Sequence, residues 1–248
     1  MALKDQSFNG LAHKFNRNIY GTTKGQLRHT LLCEVLSESL SGLPPQRIIE
    51  LGGGTGVMSA FLAAQGHHLT LTDISEEILA LAREQLDSAI DIRQADLFSV
   101  NELGDFDVVV CHAVLEWLAH PFDALAHLGT QMAPGAKLSL TFFNRDAALF
   151  SNAIYGNFDY IARGMKVKNQ VRLNPQQPLS PKVVIDRLEQ LGFSIKSMRG
   201  IRCFHDYLRD KDMAASHYEE LLALERQYCT QEPYLWLGKY FHLWLEKN

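Results

Sequence analysis

The chain has 248 residues, 46% hydrophobic and 21% charged, the make-up of a soluble globular protein with one large domain. No apolar run reaches the ~18 residues needed to span a bilayer, and the polar start (Lys4, Asp5, Asn9) is no secretory signal, so a cytoplasmic protein without a membrane anchor is expected. A net charge of −4 argues against a protein coated in nucleic acid but leaves room for a local basic patch.

Cys33, Cys111, Cys203 and Cys229 stand far apart among apolar residues, with no C-x-x-C. That predicts reduced, buried thiols rather than disulfides. The histidines show no ligand spacing, and no metal is expected.

Residues 1–26 read as an N-terminal arm. Its Phe15–Gln26 stretch mixes polar, aromatic and basic residues with no helical period. It is either a loop draped over the domain edge or a lid carrying Tyr20 and Lys24 toward a substrate. A helix follows, with Leu27, Leu31, Val35 and Leu36 on its apolar face. Arg28 sits near the start of this helix, where a cation is poorly placed in the dipole. It is either solvated or meets a ligand carboxylate. Ser41-Gly42-Leu43-Pro44-Pro45 ends the helix.

Ile48-Ile49-Glu50-Leu51 then runs into Gly52-Gly53-Gly54-Thr55-Gly56 and a helical stretch from Val57 to Ala64. This is strand, tight turn and helix, the opening unit of a nucleotide-type site. The glycines fall as G-x-G-x-G, one residue away from the dinucleotide G-x-G-x-x-G. Glu50 would repel a pyrophosphate but suits an ammonium group. Glu50-x-Gly52-x-Gly54-x-Gly56 resembles the first motif of class I methyltransferases, which implies S-adenosylmethionine as ligand. The competing reading is a glycine turn with no ligand.

His68–Asp73 reads as the second strand. Asp73 ends it about twenty residues past the glycines, where an acid can accept both ribose hydroxyls. Ser75 caps the next helix, with Ile78, Leu81, Ala82 and Leu86 as its buried face. Ile92–Leu97 is a short third strand with its exit loop, where Asp96 can accept an adenine amino group with Leu97 against the ring. Phe106–His112 is a strand buried on both faces. It ends with His112 at the carboxyl edge where open α/β sheets bind ligands. Pro121–Met132 is helical and Lys137–Phe143 is the fifth strand. Five strand–helix alternations predict a doubly wound, mostly parallel sheet.

Residues 144–180 interrupt the alternation. Phe150, Tyr155, Phe158 and Tyr160 stand beside Arg145, Arg163, Lys166, Lys168 and Arg172. Rings that stack bases and cations that meet phosphates suit a single-stranded nucleic-acid loop. The alternative is an ordinary insertion with a solvated basic face. Val183–Leu191 is a helix and Phe193–Met198 a strand. In Gly200–Tyr207, Arg202 offers the planar fork that grips a carboxylate. Tyr218–Tyr228 is helical and Tyr240–Leu245 is the last strand. Two strands after the fifth, read as a terminal antiparallel hairpin, complete the seven-stranded class I methyltransferase (Rossmann-like) sheet with helices on both faces.

Four segments carry a closer resemblance. They are Asn18–Arg28, His112-Ala113-Val114-Leu115-Glu116-Trp117, Gly156-Asn157-Phe158-Asp159-Tyr160 and Phe204-His205-Asp206-Tyr207-Leu208-Arg209. With them the whole chain resembles the bacterial tRNA 5-carboxymethoxyuridine methyltransferase family. The resemblance implies methyl esterification of uridine-5-oxyacetic acid at the tRNA wobble position, with S-adenosylmethionine as donor. It implies that Arg28, Gly52, Gly53, Asp73, Asp96 and His112 contact the donor and that Ile74 and Leu97 flank its adenosine. Thr55 stands where the family allows Glu.

The resemblance also turns Tyr20, Lys24, Arg202 and the aromatic–basic insertion toward the anticodon loop of tRNA. A carboxylate acceptor is already ionised, so no catalytic base is expected. The oligomeric state is not set by these motifs, and a monomer is compatible with them. The rival readings are a methyltransferase for a small carboxylic acid or quinone-type metabolite, a dinucleotide-dependent oxidoreductase, and a catalytically silent tRNA-binding module.

Overall fold

A computed structural model describes Asp5, residues 21–165 and residues 177–248. Most of the arm, Tyr20 included, lies outside the described residues, as do Lys166, Lys168 and Arg172 of the insertion. Among the described residues no helix is long and apolar enough to cross a membrane.

Seven strands form one sheet in the order β3-β2-β1-β4-β5-β7-β6. They are β1 (Arg47–Leu51), β2 (His68–Asp73), β3 (Asp91–Gln94), β4 (Val108–His112), β5 (Lys137–Phe143), β6 (Phe193–Ile201) and β7 (Tyr240–Lys247). The first five are parallel. The last strand slots antiparallel between β5 and β6, pairing Thr141 with His242 and Arg199 with His242.

The apolar residues of β1 and the continuous apolar run of β4 are explained by burial on both faces. Ile49, Leu51, Val109 and Cys111 enter one core, and Ile48, Val108 and Val110 enter the other. The first core is covered by α4 (Pro121–Gln131) and α7 (Pro181–Gln190). The second is covered by α1 (Thr23–Leu40), α2 (Val57–Ala64), α3 (Glu76–Gln85) and α8 (Tyr218–Tyr228). The strand order reverses between β1 and β4. That reversal opens a crevice at their carboxyl ends, where ligands bind in open α/β sheets.

The structure corrects several sequence expectations. Helix α1 begins at Thr23, inside the stretch read as arm, because the Thr22 hydroxyl accepts the Gly25 N–H at 3.3 Å and so caps it. In α3 the buried positions are Ile78, Leu79 and Ala82. Leu86 falls at the C-cap, one residue past the helix end at Gln85, and Leu81 lies half-buried on the flank. The described part of the insertion contains two helices, α5 (Arg145–Ile154) and α6 (Phe158–Ala162). Asn144 starts α5 by accepting the N–H groups of Asp146 and Ala147 at 2.9 and 3.3 Å. β6 continues past Met198 to Ile201 because β7 pairs along that length.

Candidate active site

The glycine turn leaves β1 with Gly52, Gly54 and Gly56 at φ +63°, +61° and +72°, a region that side-chain-bearing residues seldom enter. Two long-range bonds fix it. Gly53 N–H donates to the Thr72 carbonyl at 3.1 Å, and Gly54 N–H donates to Asp73 Oδ2 at 3.0 Å. Asp73 Oδ1 accepts Ser75 N–H at 2.9 Å. Each Asp73 oxygen thus accepts a backbone N–H, and the carboxylate keeps further acceptor capacity. Burial raises the Asp73 pKa, against the pull of the N–H groups of Ser75, Gly54 and Ile74.

Glu50 lies behind this turn, 4% exposed, and accepts the Ser59 hydroxyl at 2.5 Å. Burial pushes its pKa up to about 7, against the Ser59 hydrogen bonds and helped by Asp73.

His112 ends β4, and the chain leaves it through Ala113 at φ +58°. That strained turn is held by Ala113 N–H on the Thr141 carbonyl and on Thr141 Oγ1, both at 3.0 Å. His112 Nε2 is 2.8 Å from Ser139 Oγ. On the far side, Asp96 Oδ1 accepts Phe98 and Ser99 N–H at 3.0 and 3.1 Å. Oδ2 makes neither bond. Ile74 is 43% exposed, an apolar surface beside Asp73.

All eight residues expected at a donor site line one pocket: Arg28, Gly52, Gly53, Asp73, Ile74, Asp96, Leu97 and His112. The pocket lies over the carboxyl ends of β1, β2 and β4. Lys24 is exposed in the first turn of α1 and is not part of the pocket lining. Arg202 also lies outside the lining. Its guanidinium is 5.7 Å from the centre of the Tyr240 ring, and that ring does line the pocket. Arg28 is 5.3 Å from the same ring.

The fork of Arg202 is closed on a carboxylate within the chain. Nε and Nη2 donate to the two oxygens of Asp206 at 2.8 and 2.7 Å. Burial would raise the Asp206 pKa, but His205 and Arg202 overcome it and hold the carboxyl well below its usual range. The surrounding turn hangs on Glu225, which accepts the N–H groups of Cys203, Phe204 and His205 at 2.5, 2.9 and 3.0 Å. Tyr207 ties it to the short helical turn ahead of β7 through the Leu237 carbonyl at 2.8 Å. Among the insertion's aromatics, Phe158 is 68% exposed.

Sequence reasoning missed Tyr240, Glu116 and Ser139. Tyr240 opens β7, which reaches the pocket only through its antiparallel place beside β5. Glu116 is fully buried, and neither carboxylate oxygen has a hydrogen-bond partner among the described residues. Burial pushes its pKa up to about 7, opposed by its own backbone amide nearby and by Arg28. Its place in the His112–Trp117 segment was the one available signal. Among the described residues no group of three metal-ligating side chains could hold an ion.

The two raised carboxyls carry a pH prediction. An acid whose folded pKa lies above its unfolded value binds more protons folded than unfolded, so its contribution falls as pH rises through the folded value. For Glu50 and Glu116 that value is about 7. The ligand-free protein is therefore expected to melt at a lower temperature near ~pH 8 than near ~pH 6. Glu50→Gln, which can still accept the Ser59 hydroxyl, should narrow the gap. Thermal melts across this range check it, and a gap untouched by Glu50→Gln would assign the drop elsewhere.

Residues 49–138 match the family described as "Methyltransferase domain". The tRNA 5-carboxymethoxyuridine methyltransferase of Escherichia coli (strain K12) is 40% identical over 255 residues, covering 99% of this chain and 97% of that protein. The ubiquinone biosynthesis O-methyltransferase of Aromatoleum aromaticum is 31% identical over 121 residues, covering 47% of this chain and 52% of that one. Among solved structures, magnesium protoporphyrin IX methyltransferase from Synechocystis PCC 6803 with bound SAH shares the fold. Its TM-score is 0.65 at 16% identity, over 97% of this chain and 96% of that one.

Proposed function

This chain belongs to the tRNA 5-carboxymethoxyuridine methyltransferase family, and from that premise we propose that it methylates the carboxylate of 5-carboxymethoxyuridine at the tRNA wobble position. The donor is S-adenosylmethionine, the product is the methyl ester, and the whole chain works as one domain in the cytoplasm. The observation that carries the reading is the full-length match. The quinone-pathway relative aligns with only about half of the chain, so it supports the smaller-acceptor reading less well.

The pocket's chemistry fits the donor. Asp73 keeps lone pairs for ribose hydroxyls, Ile74 and Leu97 offer an apolar seat for adenine, and Arg28 brings a cation for the amino-acid carboxylate. Gly52 and Gly54 expose bare backbone between them. Bound there, S-adenosylmethionine supplies a methyl group on a positively charged sulfur.

The acceptor carboxyl, with an ordinary pKa of ~4, is ionised at neutral pH. No residue has to remove a proton from it. What the protein contributes is alignment of acceptor oxygen, methyl carbon and sulfur, worth up to ~7–11 kcal/mol in favourable cases. Arg202, Lys24, Tyr20 and the aromatic insertion are assigned to the anticodon-loop side. Since Arg202 grips Asp206, we assign it to shaping that side next to Tyr240.

Asp73→Ala should weaken the donor by about 1–3 kcal/mol, roughly fivefold to a hundred-and-fiftyfold in Kd, for ribose hydroxyls left without a partner. Calorimetric titration with S-adenosylmethionine checks it, and unchanged affinity would refute the ribose role.

The reading itself is tested with methyl-labelled donor and tRNA bearing wobble uridine-5-oxyacetic acid. Label in tRNA that mild alkali removes means a methyl ester, the expected result. Alkali-stable label would place the methyl on base or ribose. Absence of label with donor binding intact would favour the small-acid or quinone-type acceptor.

A further inference from the structure

Three polar side chains meet in the buried middle of the sheet. His112 Nε2 lies 2.8 Å from Ser139 Oγ, and Ser139 Oγ lies 3.0 Å from His242 Nε2. They stand on the neighbouring strands β4, β5 and β7. Ser139 and His242 have no solvent exposure. Only His112 of the three lines the donor pocket.

A hydroxyl has one proton to donate. Ser139 gives it either to His112 or to His242, and the other imidazole must then donate its own Nε2–H to the serine oxygen. His242 decides between the two. Its Nδ1 is buried and has no hydrogen-bond partner among the described residues. If His242 accepted through Nε2, its proton would sit on Nδ1 as a stranded buried donor. Orphaned buried N–H groups are rarer than under-used acceptors. Arg199 is the residue paired with His242 across β6 and β7, and a cation nearby favours a lone pair there over an N–H.

The proton of His242 therefore sits on Nε2 and is donated to Ser139. Ser139 donates in turn to His112 Nε2. The proton of His112 is left on Nδ1, the one ring nitrogen still available to a pocket ligand.

We infer that the His242–Ser139 pair locks His112 as an Nδ1–H hydrogen-bond donor, denies it the role of general base, and so restricts the site to acceptors that arrive already ionised. This deepens the carboxylate-acceptor reading and rests on it. Transfer of a methyl group to a carboxylate oxygen releases no proton. Transfer to a phenol or alcohol releases one, and an Nδ1–H has no lone pair to take it. A second proton on Nε2 would break the bond to Ser139. It would also put a charge in the buried centre. Burial, with His242, Arg28 and His29 close by, already holds His112 well below the ordinary imidazole range. Burial and Arg199 bring His242 down to about 3. In this scheme Ser139 and His242 are positioning residues.

The test is the tautomer itself, read by nitrogen-15 NMR on the full chain with labelled histidine. The His112 signals are identified by their loss in His112→Asn. The expected spectrum is neutral His112 with Nδ1 protonated from about pH 6 to about pH 8. A proton on Nε2, or a charged ring in that range, would overturn the inference. Ser139→Ala should release His112 into a mixture of tautomers, and Ser139→Thr should restore the single form. A tautomer indifferent to Ser139→Ala would also overturn it. These spectra need neither donor nor tRNA, so this inference and the acceptor assignment fail separately.

Discussion

Gly53→Ala is expected to weaken donor binding and to lower tRNA methylation by roughly a hundredfold or more, since a misplacement of ~1 Å at a reacting site can cost that much in rate. A Cβ at this position would lie 2.5 Å from Glu50 Cδ and 2.5 Å from Leu71 Cδ1. Neither neighbour can easily give way. Leu71 is fully buried in the core, and Glu50 is 4% exposed and tied to Ser59. The turn has to move instead.

Moving it pulls Gly53 N–H off the Thr72 carbonyl and Gly54 N–H off Asp73. The ribose seat and the glycine backbone then shift together. Such overpacking costs about 1–3 kcal/mol of stability, so the variant should stay folded while losing its ligand. Gly52→Ala is the informative companion. It also combines a positive φ with a contact, to Val114 Cγ2 at 2.7 Å. That neighbour is a half-buried side-chain tip, so a smaller loss is expected. Calorimetry with S-adenosylmethionine alongside thermal melts checks both. Wild-type affinity in a folded Gly53→Ala protein would mean that the turn does not hold the donor.

Glu225→Ala should destabilise the protein by about 3–5 kcal/mol, since it strands several buried N–H donors that each cost about 1–3 kcal/mol. The melting temperature should drop by roughly 10 °C on the usual scaling for a chain of this size. The three donors belong to Cys203, Phe204 and His205, the backbone that presents Arg202 and Asp206. Glu225→Gln is the control. Its oxygen can keep the two bonds of Phe204 and His205, while its amide faces the Cys203 N–H, so an intermediate loss is expected. Because the donor-pocket residues lie on other elements, tRNA methylation should fall further than donor affinity. Equal loss of both would mean that the Phe204–Tyr207 turn supports the donor pocket directly.

How far the site was legible varies from residue to residue. Gly52, Gly54, Asp73 and His112 were found because their signals are local. A positive φ, a strand end and an N-cap are set by the few residues around them. The apolar run of β4 announced burial on both faces in the same way. The insertion was harder. Its aromatic and basic residues hid the Asn144 cap, so α5 and α6 were missed. Arg202 was recognised as a carboxylate-gripping side chain, but the carboxylate in its fork is Asp206, four residues on.

By itself, then, the amino-acid sequence determined the strand–turn–helix unit, the acid at the end of β2 and the strand–helix alternation of the parallel half. These depend on backbone conformation and on periodicity within a few turns of chain. The tertiary structure alone decided that Tyr240 sits between the pocket and Arg202, that Glu116 is a buried carboxylate, and that Ser139 and His242 stand behind His112. Tyr240 and His242 arrive there because β7 enters antiparallel beside β5, a pairing of residues about a hundred positions apart. Which polar groups become neighbours in the interior is set by strand order and packing, and no local pattern encodes that.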